Sequence, residues 1–242
     1  MSSTTQKIAK NKKGWFVDMM TSTIGRKVLM ALTGIFLCLF LIVHLIGNLQ
    51  LLKGDGGTAF NDYAHFMGSN PLIQTVSVLN FAFIILHIVY SIILTRMNMQ
   101  ARTRKYAYSK PAANSNWRSR KMMALGSIIL IFLIVHLVYF WGKMKLTHVA
   151  GLELVNKVQG SETLDLYSLV KAAFSDIIMV VLYVVSMIAL AFHLSHGFQS
   201  AFQTFGLNHV KYTPLIKVLG YAFAILIPLG YALIPIIMFV TK

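Results

Sequence analysis

The sequence predicts an all-α integral membrane protein, a bundle of five transmembrane helices, and three observations carry that reading. Of 242 residues, 57% are hydrophobic and only 12% charged, with a mean hydropathy of +0.68, whereas charged residues make up about a quarter of a soluble domain. Five stretches approach or exceed the roughly 20 apolar residues that span a hydrocarbon core. Basic residues crowd into alternate connections between those stretches. Because lipid offers the backbone no hydrogen-bond partner, apolar spans of this length must be helices.

The elements follow in order. Residues 1–26 are polar and basic and lack a compact apolar core of the kind a cleaved signal carries, so the first span is expected to stay. Within them GWFVDMMTSTIGRK (14–27) brings Trp15, Phe16, Val17, Met19 and Met20 up to the membrane, which suits a short interfacial or docking segment. Spans are expected at about 28–52, 72–95, 122–142, 172–202 and 214–240. Before the first span lie Lys7, Lys10, Lys12, Lys13, Arg26 and Lys27; between the second and third lie Arg96, Arg102, Arg104, Lys105, Lys110, Arg118, Arg120 and Lys121; between the fourth and fifth lie Lys211 and Lys217. These segments share one side, and the positive-inside bias makes it the cytoplasm, with the N-terminus inside and the C-terminus outside. Topology accounts for the net charge of +15, so no nucleic-acid partner is inferred. The single cysteine, Cys38, excludes disulfides and iron-sulfur ligation within the chain.

Five of the eight histidines, His44, His87, His136, His193 and His196, fall inside spans, where ionisable groups are costly and mark function. FLIVHL occurs twice, ending on the same histidine and leucine: once around His44 and once around His136. Both histidines lie about four residues beyond the middle of spans that run outward, and His87 and His193 about four beyond the middle of spans that run inward. At 1.5 Å per residue this gives an outer pair, His44 and His136, and an inner pair, His87 and His193, about 12 Å apart. Two neutral imidazoles facing each other from different helices are what a six-coordinate haem iron requires, so two pairs imply two haems. The plainer reading of any one membrane histidine is a hydrogen bond to a neighbouring helix. In the fourth span His193 matches the depth rule, and Gly197 on its face leaves room for a flat macrocycle; His196 is the alternative ligand. The repeat also suggests duplication of a two-helix unit, spans one and two, then three and four, with the fifth added.

These residues resemble a known family, the five-helix dihaem cytochrome b membrane anchor of succinate dehydrogenase and fumarate reductase. The resemblance covers nearly the whole chain, from TSTIGRKVLMALTG (21–34) to HLSHGFQSAFQTFGLNH (193–209). Its most specific parts are Thr33, Gly34, Phe36 and Leu37, the four spaced histidines, and His193 with Gly197. It implies one transmembrane cytochrome b domain over 1–242 in a bacterial cytoplasmic membrane, with His44, His87, His136 and His193 as axial ligands of two non-covalent b haems. It further implies a flavoprotein partner with FAD and an iron-sulfur partner on the cytoplasmic side. This chain would pass electrons between the iron-sulfur partner and a quinone, expected to be menaquinone, while the dicarboxylate chemistry belongs to the partners; a higher oligomer is also compatible.

The basic 96–121 connection offers a docking face. For the quinone, Tyr63 and His65 in the connection KGDGGTAFNDYAHFMGSNP (53–71) are the candidates. Arg26, Lys27, Arg118, Arg120 and Lys121 are candidates to pair with haem propionates. Two alternatives stay open: a quinone-reactive cytochrome b of another respiratory dehydrogenase, and a metal or proton transporter. The span cores contain no Asp, Glu, Lys or Arg, which weighs against the transporter. A structural anchor without haem is the remaining option.

Overall fold

The computed structural model describes residues 14–101, 115–145, 154–158 and 161–241. Lys7, Lys10, Lys12 and Lys13, the central part of the basic 96–121 connection, His148 and Lys242 lie outside the described residues. The element order is α1 (Trp15–Thr21), α2 (Thr23–Leu49, prolonged by a 3-10 turn, Gln50–Leu52), α3 (Thr58–Ser69), α4 (Pro71–Gln100), α5 (Met122–His136), α6 (Leu166–Phe174), α7 (Ile177–Thr204) and α8 (Thr213–Val240). A single turn, Trp117–Arg120, precedes α5, and a π-helical turn, Leu137–Gly142, carries α5 on to Lys145. A two-stranded antiparallel ribbon, Leu154–Val158 with Ser161–Leu164, lies in the connection between α5 and α6. Among the described residues five helices are long and apolar enough to cross a membrane: Thr23–Leu52, Pro71–Gln100, Met122–Lys145, Ile177–Thr204 and Thr213–Val240.

Local chemistry sets the boundaries. Ser22 leaves the helical region, and its hydroxyl accepts the Gly25 amide at 2.9 Å, so α1 ends there and α2 begins. Gly25 has no alternative residue, since a Cβ would run into the Met19 carbonyl oxygen. Asn70 caps α4 through the amides of Leu72 and Ile73, with Pro71 in the first turn, where a missing N–H costs nothing. Asp176 accepts the Ile178 amide at 2.9 Å. That cap divides the stretch expected as one span from 172: Leu166–Phe174 is a separate helix, with Val170, Ala173 and Phe174 buried. The polar connection after the first span is likewise mostly helix α3. Its N-cap is Gly57, whose φ of +93° suits glycine and whose Cβ position is filled by the Tyr167 ring.

Two helical hairpins pack around α7. α2 lies along α4 and α5 along α7; α2 also meets α7, and α8 packs on α7 and α2. No comparable contact joins α2 to α5 or α4 to α7. Only 6% of the apolar window of α4 or α5 is buried, and Ile85, Ile131 and Val138 are left exposed. The core gathers toward the end that α3 and α6 cover, around Leu51, Val170, Phe174, Val180, Tyr183, Ile234 and Met238. A smaller cluster of Cys38, Leu194 and Ala224 sits where α2, α7 and α8 meet.

Candidate functional site

The two hairpins face each other through histidines. His44 on α2 meets His136 on α5 with ring centroids 5.9 Å apart and planes at 89°. His87 on α4 meets His193 on α7 at 6.4 Å and 63°. Each pair therefore bridges two helices whose backbones share no extended contact. His44 also stacks on Phe40 at 5.1 Å and touches Tyr231 of α8 at 5.9 Å. His136 is ringed by Phe132, Phe140 and Tyr183.

The levels of the pairs can be read along α2. A Cβ at Gly34 would lie 3.4 Å from His87 Cε1, and Thr33 Oγ1 is 3.2 Å from His87 Nδ1. His87 is therefore level with residues 33 and 34, and His44 stands ten or so residues further on, roughly 15 Å by the helical rise. This exceeds the 12 Å expected from sequence. The spans run past the charged residues that served to place their middles, α4 as far as Gln100.

The repeat runs deeper than the hexapeptide. Gly34 stands ten residues before His44, and Gly126 ten before His136. In space each glycine faces the histidine of its own hairpin's second helix, Gly34 at His87 and Gly126 at His193, where an added Cβ would lie 3.8 Å from Cε1. On the second helices Asn80 and Ser186, each seven residues before its histidine, are both buried polar residues. On this register His87 matches His193, and His196 matches Tyr90. The shared glycine is visible in the sequence once FLIVHL is extended backward, and so is the choice of His193 over His196.

The chemistry of the donors suits a haem iron. A metal–nitrogen bond of about 2 Å plus about 1 Å to each ring centre sets two axial imidazoles about 6 Å apart, close to both separations. A bare divalent ion takes three or four protein ligands, and no such group of His, Cys, Asp or Glu occurs among the described residues. Pairs suffice when a porphyrin supplies the other four nitrogens. His87 and His136 each have Nδ1 engaged, with Thr33 Oγ1 at 3.2 Å and Tyr183 Oη at 2.9 Å, which leaves Nε2 for a metal. His193 Nδ1 is buried and has no hydrogen-bond partner among the described residues.

The other sequence candidates are dispersed. His196 lies three residues beyond His193, beside the Arg118 guanidinium. Gly197 is open, with Met122 Cε 4.0 Å from its would-be Cβ. Tyr63 and His65, two residues apart on α3, project to opposite sides of that helix, so no single pocket joins them. The Tyr63 ring packs on Gly47, and burial raises its pKa above that of a free phenol. Of the cations, Arg26 turns to the Met97 sulfur, and Arg120 bonds the Ser115 carbonyl. Lys27 lines an open recess of about 330 Å³ with Ile24, Ser200, Gln203 and Thr204. Arg118 alone reaches inward, donating to Ser195 Oγ at 3.1 Å and Tyr221 Oη at 2.9 Å. Thr33, Gly126, Tyr183 and Tyr231 touch the histidines without having been singled out from the sequence for that role.

Comparison of the chain with protein-family models, with curated proteins and with solved structures returns no match. The fold and the site define the class: a multi-pass membrane protein of five apolar helices with two cross-hairpin histidine pairs.

Proposed function

We propose that this chain is a dihaem cytochrome b, the membrane anchor and electron-transfer subunit of a succinate dehydrogenase or fumarate reductase, in a bacterial cytoplasmic membrane. The observation that carries the reading is the pair of bridges, His44 to His136 and His87 to His193, each at about the spacing of two imidazoles on one iron and each joining a helix of one hairpin to a helix of the other. His44 and His136 would hold one haem b and His87 and His193 the other, with His196 beside the second. Bound haem supplies reversible one-electron transfer. The residues of this chain supply neutral imidazole nitrogens, an apolar surround that excludes water, and glycines that leave the rings uncrowded.

The resemblance supports the wider assembly: a flavoprotein with FAD and an iron-sulfur protein at the end bearing Lys27 and Arg118, and a quinone, expected to be menaquinone, near the His44 pair. Tyr63, whose neighbour Tyr231 touches His44, is the better placed of the two quinone candidates. The decisive experiment is a dithionite-reduced minus oxidised spectrum of the purified complex with a haem assay. Two b haems per chain are expected. Absence of b-type bands rejects the reading, and one haem per chain rejects the two-pair assignment.

A further inference from the structure

The duplicated hairpins match at the histidines but not at the groups that hold them. Thr33 Oγ1 meets His87 Nδ1 at 3.2 Å, and its hydroxyl proton is already directed at the Leu29 and Met30 carbonyls at 2.9 and 3.1 Å. Its oxygen therefore accepts from the ring, beside the Met30 carbonyl, which also faces His87. The matched residue in the second hairpin is Leu125, next to Gly126, and the leucine side chain accepts nothing; His193 Nδ1 is buried and without a partner among the described residues. On the second helices the mismatch is reversed. Tyr183, ten residues before His193, meets His136 Nδ1 at 2.9 Å, while Ser77 occupies the matched place before His87. Each pair thus contains one histidine tied to a hydroxyl within its own hairpin.

We propose that Thr33, whose oxygen accepts from His87 Nδ1–H, and Tyr183, whose hydroxyl meets His136 Nδ1, are positioning residues that each hold one ligand of a pair and tune the two irons separately. The inference rests on the haem reading above. An acceptor on Nδ1–H makes the imidazole a stronger electron donor, which favours ferric over ferrous iron and lowers the one-electron potential. Removing it acts in the opposite direction. The two halves of the repeat have in this way become electronically distinct while their ligands stayed the same.

The test is a redox titration of the purified complex, followed by b-band absorbance and low-spin EPR, with each component assigned by its loss in His44→Ala and His193→Ala chains. Thr33→Val is expected to raise the potential of the His87–His193 component alone, by up to tenfold in the reduction equilibrium, or about 59 mV for one electron. Thr33→Ser should keep the wild-type value. Tyr183→Phe should shift the His44–His136 component alone. Leu125→Thr, which gives His193 the hydroxyl its counterpart has, should lower the His87–His193 component and is decisive if Thr33→Val fails to retain haem. Unshifted potentials in Thr33→Val and Leu125→Thr, or equal shifts in both components, overturn this inference while leaving the haem reading intact. A wild-type complex without b haem overturns both.

Discussion

Gly47 and Tyr63 couple α2 to α3, and replacing the glycine tests how firmly that corner is set. The Cβ of an alanine at 47 would overlap Tyr63 Cε1 and stand 3.0 Å from Cζ and 3.2 Å from Cδ1. Carbon atoms rest at about 3.5–4.0 Å, so the ring or helix must withdraw by roughly 1 Å. The helix is not free to follow. Asn61, two residues before Tyr63 and buried, donates to Asp165 Oδ1 at 3.2 Å and accepts the Tyr167 amide at 3.0 Å, fastening α3 to α6. Overpacking of this kind costs about 1–3 kcal/mol. The assay is a double-mutant cycle in detergent, with unfolding midpoints of wild type, Gly47→Ala, Tyr63→Ala and the double variant. A coupling of about 1–3 kcal/mol is expected, because the alanine at 47 is harmless once the ring is gone. Additivity within about 0.5 kcal/mol would refute the contact.

Other substitutions address the site and its supports. Replacing His44 or His136 by alanine should remove one haem component and replacing His87 or His193 the other, read from the difference spectrum; loss of the second component from His196→Ala but not from His193→Ala would reverse the ligand assignment in α7. Asp165 is held below the ordinary carboxylate value of 3.8: burial raises its pKa, but bonds from Ser168 and Asn61 outweigh that. A depressed carboxylate stabilises the fold above its unfolded pKa and loses that contribution as pH falls through the folded one. The difference in melting temperature between wild type and Asp165→Asn should therefore shrink as pH drops below 3.8, and a constant difference would exclude the carboxylate as its source. Tyr63→Phe should slow quinone reduction more than His65→Ala, since the two side chains point to opposite sides of α3; equal or absent effects on steady-state quinone kinetics would remove Tyr63 from the site.

Much of the architecture is legible in one dimension because a membrane makes length and polarity decisive. Five apolar runs yield five long helices, since lipid leaves the backbone no alternative. The histidines stand out for the same reason, as costly groups in otherwise apolar spans. Boundaries were harder to read. Asp176 cuts an apolar run at a cap, and α3 forms in a connection whose glycines and polar residues suggest a loop. Both depend on short-range hydrogen bonds that hydropathy does not register.

The sequence by itself determined the spans, their alternating charged connections, and four histidines at two depths, because these follow from composition and from the constant rise of a helix. It did not determine which side chains touch them. That Thr33 reaches His87, that Tyr183 reaches His136, and that Gly34 and Gly126 lie against the opposing rings depend on how each hairpin is rotated about its axis. Rotation is set by packing between helices, such as Phe36 against Phe83 at 4.6 Å and the Leu45 side chain against Gly230. No periodicity in a uniformly apolar helix encodes it, so only the tertiary structure could place a hydroxyl beside one imidazole and leave its duplicate without one.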